Sequence, residues 1–100
     1  MPRKHDRYPF LVEIVLHSAS GRRSVRISDI SRGGCYIDTI STLMNGEPVS
    51  FELVHPNGDR LAFAGEVCYS FEQQGFGVKF TDLGDAQLEF LERILPDSAS

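Results

Sequence analysis

The stretch RISDISRGGCYID, residues 26–38, interrupts a run of alternating apolar and polar residues with an acid, a hydroxyl and two glycines. The residues on either side predict extended strands, because β-branched and apolar side chains alternate there with polar ones. Simple alternation places Val25, Ile27 and Asp29 on one face of the first strand. The interruption is longer than a hairpin turn needs, so it suits either a local turn or a ligand site.

The segments outside this stretch predict five to seven short strands separated by glycine-containing turns. The strand-like segments are residues 10–17, 22–30, 35–39, 49–55, 60–71 and 76–80. Gly65 marks an expected bulge or barrel corner in the fifth of them. A chain of many short strands with polar turns favours a small antiparallel barrel.

The C-terminal part of the chain changes from strand to helix periodicity. Residues 85–95 place Leu88, Leu91 and Leu95 along one apolar stripe, and Asp82 is the expected N-cap. We expect a helix at about residues 83–95 that covers one end of the barrel. The fold class is therefore mainly β, with one C-terminal α-helix.

Composition and charge limit the class of partner. The chain has 100 residues and a net charge of −4, yet seven of its ten Lys and Arg residues lie in the first 32 positions. The acidic total argues against a general DNA or RNA binder, and the basic first third indicates a local site for a small anion. We expect no membrane span and no secretory signal, because no apolar segment is long enough. Cys35 and Cys68 are then expected to be reduced, buried thiols in a cytoplasmic protein.

Signatures of catalysis and metal binding are weak. His5, His17 and His55 are scattered without the spacing of a metal site. Ser31 lacks the glycine context of a nucleophile, and no residue nominates a general base for it. We therefore expect a binding module with no catalytic residues, no metal and no cofactor.

Two segments remain as candidate ligand sites. The first is RKHDR, in which Arg3 and Arg7 are four residues apart and Lys4 adds a third cation. Arginine forks match phosphate oxygens and the O6/N7 edge of guanine, although a basic tail without a function has the same composition.

The second segment is DISRGG, residues 29–34. Asp29 is able to accept two hydrogen bonds from a guanine, and Ser31 is able to donate or accept one. Gly33 and Gly34 leave backbone that a planar ring or a phosphate is able to approach. An Asx-type turn is the structural alternative.

Taken together, the two segments resemble the PilZ domain family. RKHDR fits its RxxxR motif, DISRGG fits its (D/N)xSxxG motif, and GFGVKF followed by a helix is similar to its last strand and C-terminal helix. The resemblance implies a six-stranded antiparallel β-barrel at residues 10–96, a flexible arm at 1–9 and a tail at 97–100. It also implies a bacterial receptor for cyclic di-GMP.

The resemblance assigns the ligand-binding roles residue by residue. Arg3 and Arg7 would bind phosphates and guanine edges, and Lys4 replaces an arginine that many members carry. Asp29 and Ser31 would bind a guanine, and Gly34, with Gly33 beside it, would allow close approach of the ligand.

Such a receptor is expected to change conformation on binding and to regulate an unidentified partner protein in trans, as a monomer or weak dimer. A PilZ-like adaptor without nucleotide affinity is the main alternative. A barrel that binds single-stranded nucleic acid and a small-molecule enzyme are weaker ones, since the aromatic residues occupy apparent core positions and no catalytic set is present.

Overall fold

The computed structural model describes residues 8–40, 43–54 and 58–95, which fold into six strands and one helix. The strands are β1 (Tyr8–Ser18), β2 (Gly21–Ile30), β3 (Gly34–Asp38), β4 (Pro48–Val54), β5 (Arg60–Phe71) and β6 (Gly75–Thr81), and the helix is α1 (Asp85–Ile94). The strands form a closed barrel in the order β1-β2-β3-β6-β5-β4, and each neighbouring pair is antiparallel. The expected six-stranded antiparallel barrel with a C-terminal helix is confirmed.

The interior of the barrel follows from the alternation of each strand. In β4, Val49, Phe51 and Leu53 are buried while the residues between them are exposed. Apolar side chains at every second position give each strand one face for the core, which closure of the barrel removes from water. The core is therefore contiguous through all six strands.

Four aromatic rings connect the barrel interior to α1. The Phe63 ring stacks on Phe51 with centroids 5.9 Å apart, and it lies 5.3 Å from Phe80. Phe90 of α1 meets Phe63 edge-on at 5.8 Å. Together with Leu91 and Leu95, which are also buried, Phe90 covers this end of the core. The helix covers the core as expected, but Leu88 of the predicted stripe is 45% exposed and Phe90 is the third buried residue instead.

The start of α1 differs from the expectation. Gly84 is the N-cap, and its amide donates to Oε1 of Gln87 at 3.0 Å. Asp82, the predicted cap, instead has a left-handed backbone with φ of 55° and lies before the helix. The side-chain Nε2 of Gln87 also donates to the backbone carbonyl of Ala62 at 2.9 Å. This hydrogen bond joins the first turn of the helix to β5. No helix in the described part of the chain is long and apolar enough to cross a membrane.

Two further strand details differ from the sequence-based expectation. β1 begins at Tyr8, so Tyr8 and Pro9 belong to the barrel and not to the N-terminal arm. Gly65 lies within the regular part of β5, and the irregularity of that strand falls at Cys68 instead. A Cβ at Gly65 would lie 2.6 Å from the carbonyl oxygen of Lys79, so this glycine allows close approach of β6.

The barrel is least tightly closed between β1 and β4. Among the described residues these two strands are in register only at His17 and Ser50. Beyond that pair lies a groove of about 760 Å³, with Glu13 and Glu52 among its lining residues.

We expect Phe63→Ala to lower the free energy of unfolding by about 3–5 kcal/mol, because it removes the ring that joins the strands to α1. Val54→Ala on the exposed face of β4 is the control and is expected to cost less than about 1 kcal/mol. Urea unfolding followed by circular dichroism measures both. Equal losses for the two variants would contradict the role of Phe63.

Candidate ligand-binding site

The turn between β2 and β3 is held by the hydroxyl of Ser31. The Ser31 amide donates to the carbonyl of Gly34 at 2.8 Å, so only Arg32 and Gly33 form the connection. The Ser31 hydroxyl donates to the same carbonyl at 3.3 Å and accepts from the Gly33 amide at 3.2 Å. Ser31 is 7% exposed. Its hydroxyl thus builds the turn from within, as a serine-type turn and not as the Asx-type turn considered for this segment, and neither Gly33 nor Gly34 has a positive φ.

Both glycines of the turn lie against β6. The Gly33 carbonyl accepts a hydrogen bond of 2.9 Å from the amide of Phe80. A Cβ at Gly34 would overlap the carbonyl oxygen of Val78, which faces it from the neighbouring strand. The absence of a side chain at Gly34 is therefore required by the packing of β3 on β6.

Asp29 points away from the core because β2 contains a bulge. The pairing of β2 with β3 shifts between Ile27 and Asp29, which leaves Ser28 as the additional residue. Val25, Ile27 and Ile30 are buried, whereas Asp29 is only half-buried. The alternation expected from the sequence, with Asp29 on the face of Val25, is wrong because the bulge moves Ile30 to the inside.

The neighbours of Asp29 belong to two other strands. Its cross-strand partners are Pro9 on β1 and Tyr36 on β3, and the β1–β2 register is also irregular, between Pro9 and Val12. The Oδ1 atom of Asp29 is shielded from solvent. Bulges on both sides commonly re-aim a side chain at a functional position, and here they aim a carboxylate at the outer surface beside the start of β1.

Arg32 connects the turn to α1. Its Nη1 lies 3.3 Å from Oε2 of Glu92, and 32% of the Arg32 side chain is exposed. An exposed ion pair of this kind contributes about 0.2–1 kcal/mol. Arg32 was not among the residues that sequence reasoning selected, because its partner is 60 positions away.

Two tyrosines on the same outer face were also missed. Tyr36 lies directly opposite Asp29, and Tyr69 lies opposite Gly77, the β6 partner of Tyr36. The two tyrosine rings have centroids 6.2 Å apart at an interplanar angle of 28°. The G-x-G pattern at 75–77 was the signal in the sequence that could have indicated them. It leaves two outward positions of a strand without side chains, and rings on neighbouring strands are able to lie over such positions.

The remaining predicted site residues are cations at the N-terminus. Arg3, Lys4 and Arg7 lie outside the described residues. The first described residue, Tyr8, lies opposite Ile30, one position beyond Asp29. β1 therefore starts beside the DISRGG segment.

Charged side chains of both signs lie on this surface. Besides Asp29 it carries an exposed cation, Lys79, whose cross-strand partners are Gly34 on β3 and the exposed Glu66 on β5. In the described part of the chain no cluster of metal-ligating side chains is present. Among the described residues that line the groove between β1 and β4, none belongs to DISRGG.

Comparisons with known proteins agree with this architecture. The family model described as PilZ domain matches residues 2–96. A solved structure, the PilZ domain of CeSA from a cellulose-synthesizing bacterium, is similar with a TM-score of 0.70. The two chains are 19% identical, and the match covers 89% of this chain and 93% of that chain, which shows a shared fold. No curated protein matches this chain.

We expect Gly34→Ala to destabilise the fold by about 1–3 kcal/mol or more even without ligand, because the new methyl group overlaps backbone that is unable to move independently. Gly84→Ala is the matched control. Its Cβ would lie 3.0 Å from Oε1 of Gln87, the end of a flexible side chain. Thermal unfolding of both variants checks this, and an unchanged melting temperature for Gly34→Ala would contradict it.

Proposed function

The chain belongs to the PilZ domain family, and we propose that it is a receptor for cyclic di-GMP. The observation that carries the proposal is the register of β1 on β2, which pairs Pro9 with the half-buried, outward-facing Asp29. Arg7 precedes Pro9 by only two residues, and Arg3 precedes Arg7 by four. This arrangement supports one shared site for the two motifs. β1 follows the RxxxR motif directly in the chain, and β1 begins beside the DxSxxG motif.

Each motif residue has a chemical role in the proposal. The Asp29 carboxylate accepts hydrogen bonds from the N1–H and N2–H groups of one guanine. The guanidinium groups of Arg3 and Arg7 bind phosphate oxygens and a guanine edge, and Lys4 adds charge without a planar fork.

The turn supplies the shape of the site in this proposal. Ser31 holds the turn through its hydroxyl, as its two hydrogen bonds indicate. Gly33 and Gly34 leave this turn, which we call the rim of the site, without side chains at two positions. The ligand is therefore able to lie close to the backbone there. We infer that Ser31 acts mainly by fixing this rim.

The proposed output is a change of surface and not a reaction. Members of this family are receptor domains, and we propose the same for this chain. Ligand charge beside the turn competes with Glu92 for Arg32, so binding alters the charged surface shared by the turn and α1. We propose that an unidentified partner protein reads this surface in trans.

The proposed setting follows from the cysteines. Cys35 is buried and Cys68 is exposed, and neither forms a disulfide bond. An exposed free thiol is typical of a reducing compartment, so we propose a cytoplasmic receptor that is a monomer or weak dimer. The exposure of Cys68 corrects the expectation that both cysteines are buried.

We predict that Asp29→Ala and Arg7→Ala each weaken binding of cyclic di-GMP at least about tenfold. Loss of a charged hydrogen bond costs about 1.5–3 kcal/mol, and 1.4 kcal/mol corresponds to a factor of ten in affinity. Isothermal titration calorimetry with the unmodified chain and both variants measures this.

Glu52→Ala is the control for this prediction. It removes an exposed carboxylate on β4, in the groove beside β1, and leaves the motifs intact. Its affinity for cyclic di-GMP is expected to equal that of the unmodified chain. If the unmodified chain itself does not bind cyclic di-GMP, the proposed function is wrong.

Binding is also expected to weaken as salt rises. The Debye length falls from about 10 Å at 0.1 M salt to about 3 Å at 1 M, which screens arginine–phosphate attraction at an exposed site. Titrations at both salt concentrations test this, with the unfolding midpoint at each concentration as the control for the fold. An affinity independent of salt would contradict the assignment of the phosphates to Arg3 and Arg7.

The second candidate function is an adaptor that binds a protein and no nucleotide. The observation that favours it is the pair of Ser31 hydrogen bonds, because they give part of the DxSxxG motif a purely structural role. The calorimetric titration with the unmodified chain distinguishes the two functions.

A further inference from the structure

A line of paired residues crosses the outer surface of the barrel from Asp29. Asp29 on β2 pairs with Tyr36 on β3, Tyr36 with Gly77 on β6, and Gly77 with Tyr69 on β5. Directly paired residues of antiparallel strands project to the same face, and neighbouring strands are about 4.8 Å apart. The carboxylate of Asp29 and both tyrosines therefore share one face, with Gly77 about two strand spacings, or roughly 10 Å, from Asp29.

Two glycines on β6 provide the space that the tyrosine rings occupy. A Cβ at Gly77 would overlap the Tyr69 ring and lie 2.8 Å from its hydroxyl. A Cβ at Gly75 would lie 3.0 Å from both Cε2 and the hydroxyl of Tyr36. Each ring thus covers backbone on β6, which brings the two rings down onto the barrel wall.

Phe71 extends this surface along β5. Its ring centroid is 5.6 Å from that of Tyr69, and the residue is 54% exposed. Tyr36 and Tyr69 are half-buried. We call Tyr36, Tyr69 and Phe71 the aromatic strip.

Packing over glycine explains only part of this arrangement. Aromatic rings do stabilise sheets by covering glycine positions. That role accounts for the inner faces of Tyr36 and Tyr69, but not for Phe71, an apolar ring left more than half exposed beside them. It also does not account for the position of Tyr36 and Tyr69 in the same row as the motif carboxylate.

We propose that the aromatic strip is a stacking surface for the purine base whose edge is held by Asp29. This inference rests on the proposed function, because it adds a base-binding surface to the same site. A base bound edge-on to the carboxylate extends along the row toward the Tyr69 ring above Gly77. The charged residues next to the strip are of both signs, with Arg26 opposite Asp38 and Lys79 opposite Glu66, so the aromatic rings and not net charge carry this proposal.

The size of the effect follows from base–aromatic stacking, which contributes about 1–3 kcal/mol per base in single-strand binding proteins. Because 1.4 kcal/mol is a factor of ten, Tyr69→Leu is expected to weaken binding of cyclic di-GMP about 5–140-fold. Tyr69→Phe keeps the ring and loses only the hydroxyl, so its affinity is expected to stay within about twofold of the unmodified chain.

Calorimetry of cyclic di-GMP binding to the unmodified chain, Tyr69→Leu and Tyr69→Phe tests the proposal. Melting temperatures of the three proteins show whether the leucine variant still folds. If the leucine and unmodified chains bind equally well, the stacking surface is wrong while the proposed function stands. If the unmodified chain does not bind, both proposals are wrong.

A spectroscopic measurement tests the same proposal without a ring deletion. The chain has three tyrosines and no tryptophan, so its emission reports tyrosine alone. In a Tyr8→Phe background, saturation with cyclic di-GMP is expected to quench the emission of Tyr36 and Tyr69, because a base stacks on their rings. Full occupancy by calorimetry with unchanged tyrosine emission would overturn the proposal.

Discussion

The close packing of β6 between β3 and β5 is the constraint on which the rest of the structure depends. A Cβ at any of four glycines on these three strands would lie too close to a neighbouring strand or ring. The four are Gly34, Gly65, Gly75 and Gly77. Since β3 and β6 are distant in sequence, their contact also joins the two halves of the barrel. The glycines therefore serve closure first, and the candidate site is built on the surface that closure creates.

The bulge at Ser28 places the carboxylate of the candidate site on the outer face of the closed barrel. Without the additional residue, Asp29 would share the inward face of Ile27, where a carboxylate without charge partners is costly. With it, Ile30 fills the core and Asp29 reaches the outer face beside Tyr36. The same shift directs the strand into the turn at Ser31, whose amide and hydroxyl both bond to Gly34. Bulge and turn thus act together, one placing the carboxylate and the other fixing the rim.

The sequence predicts the fold well, because apolar residues that alternate in the sequence, such as Val49, Phe51 and Leu53, are the residues that the strands bury. It fails where one added residue reverses the alternation, at Asp29 after Ser28 and again at Tyr69 after Cys68, since both side chains lie on the outer face instead of the inner one. DISRGG was recognised as a candidate site from its residue types. The aromatic strip was not, because its rings come together only through the pairing of strands far apart in the chain.

The contacts of α1 indicate which part of the surface would respond to the proposed ligand. Burial of each of Phe90, Leu91 and Leu95 contributes about 1.5–3 kcal/mol. The exposed pair of Arg32 and Glu92 contributes about 0.2–1 kcal/mol. A ligand that draws Arg32 away from the helix therefore overcomes only the weaker of these terms. It changes the charge pattern where turn and helix meet while α1 stays docked on the core, so a partner that senses binding would have to contact that junction and not the apolar face of the helix.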